Sequence, residues 1–154
     1  MSSFLFTQVH CISQNHVLLM CRNKNPNKGL WVAPGGKIES DESPFEGAVR
    51  ELHEETGLTA AKMIFRGMVT LLIPTFPQPL HHFLYLVPEF KGELVADQRE
   101  GNLDWQPIDK IDQMPLPQAN KLFLPHVLGS GTFYQAKYIY DDDEQIIKVV
   151  EHAT

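Results

Sequence analysis

Long apolar runs and cysteine motifs are both missing from this sequence. No window approaches the roughly 18 consecutive apolar residues of a membrane-spanning helix, and the N-terminus lacks the pattern of a signal peptide. The two cysteines, Cys11 and Cys21, match no CxxC metal or redox motif. We therefore expect a cytoplasmic protein with no membrane partner, in which both cysteines are reduced, small apolar side chains.

An excess of basic residues is also missing. The chain has 13 Lys and Arg against 19 Asp and Glu, which gives a formal net charge of −6. Affinity for a nucleic-acid polymer comes largely from basic side chains that neutralise phosphates, so we expect no such partner. A small phosphorylated ligand remains compatible with this charge if acidic side chains hold divalent cations.

The length and the order of elements predict one domain of mixed class. The 154 residues are within the usual size of one domain, and we assign residues 1–154 to it. Strands and helices are interspersed, which indicates an α/β or α+β fold with a mixed sheet. The predicted strands span 4–12, 17–21, 63–73, 81–87, 103–108, 133–140 and 145–151, and a second helix is expected within 116–128.

The clearest secondary-structure signal is a helix over residues 43–56. Ser43 is a suitable N-cap, Pro44 suits the first helical position, and Glu46 completes a capping box. Gly57 follows the last periodic residue, as expected where a helix ends.

Acidic residues gather on one face of this helix. Glu51, Glu54 and Glu55 are spaced i, i+3 and i+4, and Glu42 precedes the helix. Like charges at this spacing destabilise a helix unless a cation neutralises them. Mg²⁺ takes oxygen ligands and commonly bridges carboxylates to substrate phosphates. These residues alone leave two interpretations, a metal site or a solvated acidic face.

The wider segment distinguishes between these interpretations. It contains the pattern G-x5-E-x7-R-E-U-x-E-E-x-G-U, in which U is aliphatic. This pattern is the Nudix box, and the chain resembles the Nudix hydrolases. The resemblance implies an α/β/α sandwich with a mixed sheet and a catalytic loop–helix–loop. It also implies Mg²⁺- or Mn²⁺-dependent hydrolysis of a nucleoside diphosphate linked to another moiety. The pattern is filled by Gly36, Glu42, Arg50, Glu51, Leu52, Glu54, Glu55, Gly57 and Leu58.

The same resemblance implies the metal ligands. Glu54 and Glu55 would be the principal ligands, and Gly35 would contribute its backbone carbonyl. Glu51 would bridge the metals or act as the general base that takes a proton from the attacking water.

Neighbouring residues receive supporting roles from the resemblance. Arg50 would orient the helix carboxylates, and Glu42 would support the metal site. Lys37 would contact a substrate phosphate. The alternatives are a surface ion pair for Arg50 and a solvated lysine for Lys37.

Other positions resemble the MutT-type enzymes of the family, which hydrolyse oxidised purine nucleoside triphosphates. Arg22 ends the segment VLLMCR, where that group carries a phosphate-contacting arginine. Glu100 precedes Trp105, as a further metal-ligating or base glutamate does in that group, so Glu51 and Glu100 remain alternative bases. Asn120 resembles an asparagine that reads the O6 and N7 edge of a purine through its amide. Each of the three has a structural alternative: a strand-edge arginine, a loop carboxylate, and a turn or cap residue.

The implied activity is metal-dependent pyrophosphohydrolysis of an oxidised purine nucleoside triphosphate, such as 8-oxo-dGTP, to the monophosphate and pyrophosphate. Such an enzyme would sanitise the nucleotide pool, a function allied to DNA repair. The alternatives are another nucleoside triphosphate, a pterin triphosphate or ADP-ribose as substrate, or a non-catalytic nucleotide-sensing module. The expected partner is a small-molecule nucleotide, and the expected oligomeric state is a monomer or homodimer.

Aromatic and histidine side chains offer further candidates. Trp31 and Phe83 are candidates for stacking on a purine ring, although aromatic residues in strands more often belong to the core. The adjacent His81 and His82 are expected to point to opposite faces of a strand, which argues against a zinc site.

Overall fold

A computed structural model of the protein describes residues 4–95, 101–129 and 131–153. No helix within these ranges is long and apolar enough to cross a membrane. The described strands are β1 (Leu5–Ser13), β2 (His16–Arg22), β3 (Trp31–Val32), β4 (Gly35–Lys37), β5 (Thr59–Leu72), β6 (Leu80–Lys91), β7 (Gly101–Pro107), β8 (Tyr134–Tyr140) and β9 (Ile146–His152). The described helices are α1 (Pro44–Thr56) and α2 (Gln118–Leu128), and a 3-10 helix spans Ile108–Gln113.

The first two strands form a tight hairpin. Gln14 and Asn15 make its turn with φ angles of 50° and 61°. Positive φ at both central residues matches the right-handed twist of the flanking strands, and Asn tolerates it well. The strands predicted over 4–12 and 17–21 are confirmed, each with a small shift at its ends.

Helix α1 has the ends that its sequence predicts. The Ser43 hydroxyl accepts a hydrogen bond from the Glu46 backbone N–H at 3.1 Å, and the Glu46 carboxylate accepts one from the Ser43 N–H at 2.9 Å. Gly57 ends the helix in the left-handed conformation, with φ of 83°. These local bonds satisfy backbone groups that the helix itself leaves unpaired, which fixes both ends independently of the rest of the chain.

All the described strands join a single mixed sheet. Its order is β3-β2-β1-β6-β5-β8-β9, with β4 paired to β1 and β7 paired to β2. The pairs β1–β6 and β5–β8 are parallel and the other pairs are antiparallel. The expectation of a mixed sheet is confirmed. Strand β4 was not predicted, because two of its three residues are glycines, which have little strand propensity.

Side chains alternate across the sheet and give it two apolar faces. On one face, Val9 and Cys11 of β1 pack in a cluster with Leu52 of α1. On the other face, Val69 of β5 packs in a cluster with Phe123 of α2. Helices therefore cover opposite faces, as expected for an α/β/α sandwich. Cys11 is a buried free thiol, as expected, and its burial raises its pKa to about 12.

Candidate active site

The acidic face of α1 is organised around one guanidinium group. Arg50 donates two hydrogen bonds to the Glu42 carboxylate, from Nε at 2.7 Å and from Nη2 at 3.0 Å. Its Nη1 donates to Glu51 Oε1 at 2.8 Å and to Glu54 Oε2 at 3.2 Å. Its Nη2 also donates to the Lys37 carbonyl at 3.1 Å, which ties the helix to the end of β4. Arg50 thus orients the carboxylates, and a planar fork suits this better than an ammonium group.

These contacts favour the charged forms of the groups that make them. The hydrogen bonds from Arg50, followed by the bond from the Glu39 backbone N–H, lower the pKa of Glu42. In turn, the hydrogen bond to Glu42, supported by the bond to Glu51, raises the pKa of Arg50. The network offsets the repulsion between like charges on α1.

Two consecutive glycines bring β4 against the same helix face. Gly35 donates its backbone N–H to Glu55 Oε2 at 3.0 Å. At Gly36, an added Cβ would lie 2.8 Å from both Cδ and Oε1 of Glu51, so the carboxylate packs directly against the glycine. Gly35 itself lies opposite Gln8 of β1, where an added Cβ would collide with the Thr7 carbonyl. The close approach of β4 to β1 therefore requires glycine at Gly35, whereas a side chain at position 36 would displace the Glu51 carboxylate.

The remaining predicted residues lie on other elements. Arg22 ends β2 opposite Gly101, and its Nε donates to the Pro26 carbonyl at 2.7 Å. Lys37 ends β4 with an exposed side chain. Asn120 lies in α2, on the opposite face of the sheet from α1, and is 6% exposed. Glu100 lies outside the described residues.

A family model described as NUDIX domain matches residues 7–127, which is more than half of the chain. The chain belongs to the Nudix family.

Relatives and solved structures agree with this assignment. The chain is 26% identical over 150 residues to an uncharacterised Nudix hydrolase, YvcI, of Bacillus subtilis, covering 94% of this chain and 93% of that one. It is 36% identical over 87 residues to the 8-oxo-dGTP diphosphatase of Proteus vulgaris, covering 56% and 76%. The crystal structure of a mutator MutT protein from Bacillus halodurans superposes with a TM-score of 0.86 at 29% identity, covering 96% of each chain.

Nudix hydrolases generally use divalent metals such as Mg²⁺ or Mn²⁺. The donor atoms that this protein offers are of the chemical type that such ions bind. Glu51, Glu54 and Glu55 supply carboxylate oxygens, the ligands that hard cations prefer. Glu51 and Glu55 both contact the backbone of the two glycines of β4. Within the ranges that the structure describes, however, no three His, Cys, Asp or Glu side chains converge as a metal cluster. Glu51 and Glu54 instead hydrogen-bond to Arg50.

Gln8, a polar residue that contacts Asn120, was not predicted from the sequence, and His82 was considered only for a zinc site. Gln8 of β1 accepts a hydrogen bond from Asn120, and its own amide contacts His82 of β6. The expectation that adjacent histidines face opposite sides of the strand is confirmed, because His81 pairs instead with Thr70. A signal was present in the sequence, since Gln8 lies on the same predicted strand face as the apolar Phe6 and Ile12.

The two aromatic candidates lie on opposite faces of the sheet. Trp31 packs against the apolar cluster that contains α2 residues, on the same face as Asn120. Phe83 packs against the cluster on the α1 face, where its ring stacks with Phe65 at a centroid distance of 5.8 Å. Of these two residues, Trp31 shares a face with the candidate base-reading asparagine.

Proposed function

We propose that this Nudix protein is a nucleoside triphosphate pyrophosphohydrolase with an oxidised purine as its preferred base. The observation that carries this proposal is the acidic face of α1, in which Arg50 holds Glu42, Glu51 and Glu54 beside the glycines of β4. Such an arrangement can bind divalent cations and, through them, a polyphosphate. In the proposed reaction, water attacks a phosphorus atom, and the nucleoside monophosphate and pyrophosphate are released. Residues 1–154 act as one domain.

The proposed metal ligands are Glu51, Glu54, Glu55, the Gly35 carbonyl and Glu100. A bound Mg²⁺ or Mn²⁺ polarises phosphoryl oxygens and lowers the pKa of a bound water. Among the protein's own groups, Glu51 or Glu100 takes the proton from the attacking water. For Glu51, two contacts support this assignment: Gly36 packs against its carboxylate, and Arg50 donates to it at 2.8 Å. Both contacts hold the carboxylate in one position, as a general base requires.

The proposed substrate contacts involve both faces of the sheet. Arg22 and Lys37 are the proposed phosphate-binding residues. Each is positively charged, and each is the last residue of a strand, β2 for Arg22 and β4 for Lys37. Asn120 reads the base through its amide, which is nearly buried and therefore can discriminate strongly between donors and acceptors. 8-Oxoguanine has an N7–H donor where guanine has an acceptor. The relative from Proteus vulgaris, an 8-oxo-dGTP diphosphatase, supports this choice of base.

A substrate panel tests the proposal. Initial rates with Mg²⁺ at low substrate concentration are compared for 8-oxo-dGTP, dGTP, dATP, CTP, ADP-ribose and dihydroneopterin triphosphate, with the products identified. We expect the highest kcat/KM for 8-oxo-dGTP, with release of monophosphate and pyrophosphate. A higher value for another member of the panel would refute the oxidised-purine substrate but retain Nudix chemistry. Hydrolysis of none of them would favour a nucleotide-sensing module.

Glutamine substitutions at three glutamates test the assigned roles. Glu51→Gln removes a proton acceptor at nearly constant volume, and we expect kcat to fall by about 10²-fold or more while the fold is retained. Glu100→Gln, measured in parallel, identifies which carboxylate is the more important base. Glu89→Gln is the matched control, because Glu89 is an exposed residue of β6. Turnover by Glu51→Gln equal to that of Glu89→Gln would contradict the role of Glu51.

A further inference from the structure

A chain of three polar side chains crosses the α2 face of the sheet. Asn120 Nδ2 donates to Gln8 Oε1 at 3.4 Å, and Gln8 Nε2 donates to His82 Nδ1 at 3.2 Å. The His82 ring also stacks on Phe6, with centroids 5.1 Å apart and an interplanar angle of 14°. The Gln8–His82 distance lies at the upper end of the ordinary hydrogen-bond range and the Asn120–Gln8 distance just beyond it, so neither bond contributes much to stability.

The donor and acceptor directions in the series Asn120–Gln8–His82 depend on which ring nitrogen of His82 carries the proton. A neutral imidazole has one N–H and one lone pair, so His82 Nδ1 can accept from Gln8 only when its proton is on Nε2. Burial, together with the neighbouring His81, lowers the pKa of His82 to about 4, so the ring is neutral near pH 7. In the Nε2–H tautomer, which the contact of the Gln8 Nε2 donor with His82 Nδ1 requires, Gln8 donates with Nε2 and accepts with Oε1. That leaves Asn120 donating with Nδ2 and presenting Oδ1.

At the other end of this hydrogen-bond series, Asn120 retains an acceptor, its Oδ1 atom. Among the described residues, no hydrogen-bond partner for Asn120 Oδ1 is present, and the buried side-chain polar atom without a partner is His10 Nε2. Asn120 itself is nearly buried, at 6% exposure. An acceptor without an internal partner on a nearly buried side chain is suited to a ligand's donor.

Gln8 connects this acceptor to the phosphate side of the candidate site. Its backbone lies opposite Gly35 in the β1–β4 pairing, and the Gly35 N–H donates to Glu55. Its side chain meanwhile holds Asn120 on the other face of the sheet. A single residue thus fixes the amide relative to the strand that contacts the helix carboxylates.

We infer that Gln8 and His82 are positioning residues that hold Asn120 with Oδ1 toward the substrate and so select purines with a hydrogen-bond donor at N7. This inference rests on the proposed function. The reverse polarity, with the proton on His82 Nδ1, would turn both amides around and present the Asn120 NH₂ group. That arrangement would favour the N7 acceptor of an unoxidised purine.

Kinetic variants test the inference through the ratio of kcat/KM for 8-oxo-dGTP to that for dGTP. In Gln8→Leu, Asn120 loses its partner, and we expect the ratio to fall by about tenfold or more. Gln8→Glu retains an acceptor for Asn120 Nδ2, so its ratio is expected to stay within about threefold of wild type. His82→Phe keeps the stacking on Phe6 but frees the Gln8 amide, which should lower the ratio. His81→Phe is the matched control and should leave it unchanged.

A spectroscopic measurement reads the polarity without substrate. Long-range ¹H–¹⁵N spectra of the wild-type imidazoles at pH 7 should show His82 protonated on Nε2 and unprotonated on Nδ1. In Gln8→Glu, whose carboxylate only accepts, the proton should move to Nδ1. A role confined to packing predicts no such change.

The outcomes separate this inference from the proposed function. If wild type prefers 8-oxo-dGTP but folded Gln8→Leu keeps the wild-type ratio, the inference is overturned and the proposed function stands. A wild-type His82 protonated on Nδ1 would also overturn it. If wild type hydrolyses nucleotides without preferring 8-oxo-dGTP, the proposed substrate and this inference fall together. The expected kcat/KM ratios together with the expected His82 tautomers would support both the inference and the proposed function.

Discussion

The substitution Gly36→Ala is expected to lower kcat strongly while it changes the free energy of unfolding only slightly. The added Cβ would lie 2.8 Å from Cδ and Oε1 of Glu51 and 3.0 Å from Oε2. Carbon atoms in ordinary contact are at least about 3.5 Å apart, so the carboxylate must move by about 0.7 Å. Arg50 Nη1 holds the same carboxylate at 2.8 Å, and the movement disturbs that bond as well.

The expected magnitude differs between activity and stability. A misplacement of about 1 Å in a reacting group can cost about 10²-fold in rate, so we expect kcat to fall by about that factor. The clashing atoms belong to the flexible end of a side chain, and alanine reduces the entropy of the unfolded chain by about 0.4–1 kcal/mol at a compatible position. The free energy of unfolding should therefore change by no more than about 1 kcal/mol.

The assay compares kcat, KM and urea unfolding of Gly36→Ala with those of Gly131→Ala. Gly131 is a matched control because an added Cβ there meets no atom within 4 Å. We expect Gly131→Ala to keep wild-type activity. If Gly36→Ala also keeps kcat within about threefold of wild type, the reasoning that ties Glu51 to Gly36 is refuted. A large loss of stability would show instead that the backbone of β4 carries the effect.

Three further predictions concern the helix cap, the guanidinium group and a buried histidine. Ser43→Ala removes the capping bond to Glu46 and should lower the free energy of unfolding in urea by about 1 kcal/mol; no change would contradict the cap's contribution. Arg50→Lys cannot make the fork to Glu42 while also bonding Glu51, so kcat with Mg²⁺ should fall by about tenfold or more, and wild-type turnover would disprove the orienting role. Burial lowers the pKa of His10 to about 4, below its value of 6.5 in the unfolded chain. Between pH 6.5 and pH 4 only the unfolded state gains a proton at His10, so the free energy of unfolding falls as the pH drops through this range. Relative to His10→Leu, wild type should lose about 2 kcal/mol between pH 7 and pH 5 in urea titrations, and parallel pH profiles would show that His10 does not titrate as described.

Helix α1 and its acidic face could be derived from the sequence because their determinants are local. The Ser43 and Glu46 cap, the Gly57 stop and the i, i+3, i+4 glutamates all act within a few residues of one another. The Nudix box has the same property, since its fixed positions lie in one continuous segment. Its family assignment therefore needed no knowledge of how distant segments meet.

Strand β4 and the Gln8 contacts were decided by tertiary structure alone. Two glycines carry no strand signal, and β4 exists because β1 pairs with it on one side while Glu51 and Glu55 contact it from the helix. Asn120 and Gln8 are 112 residues apart in sequence, and their contact depends on the register of β1 and the docking of α2. Short-range periodicity determines which face a side chain occupies, but the partner across that face is set only when the whole sheet and its helices pack.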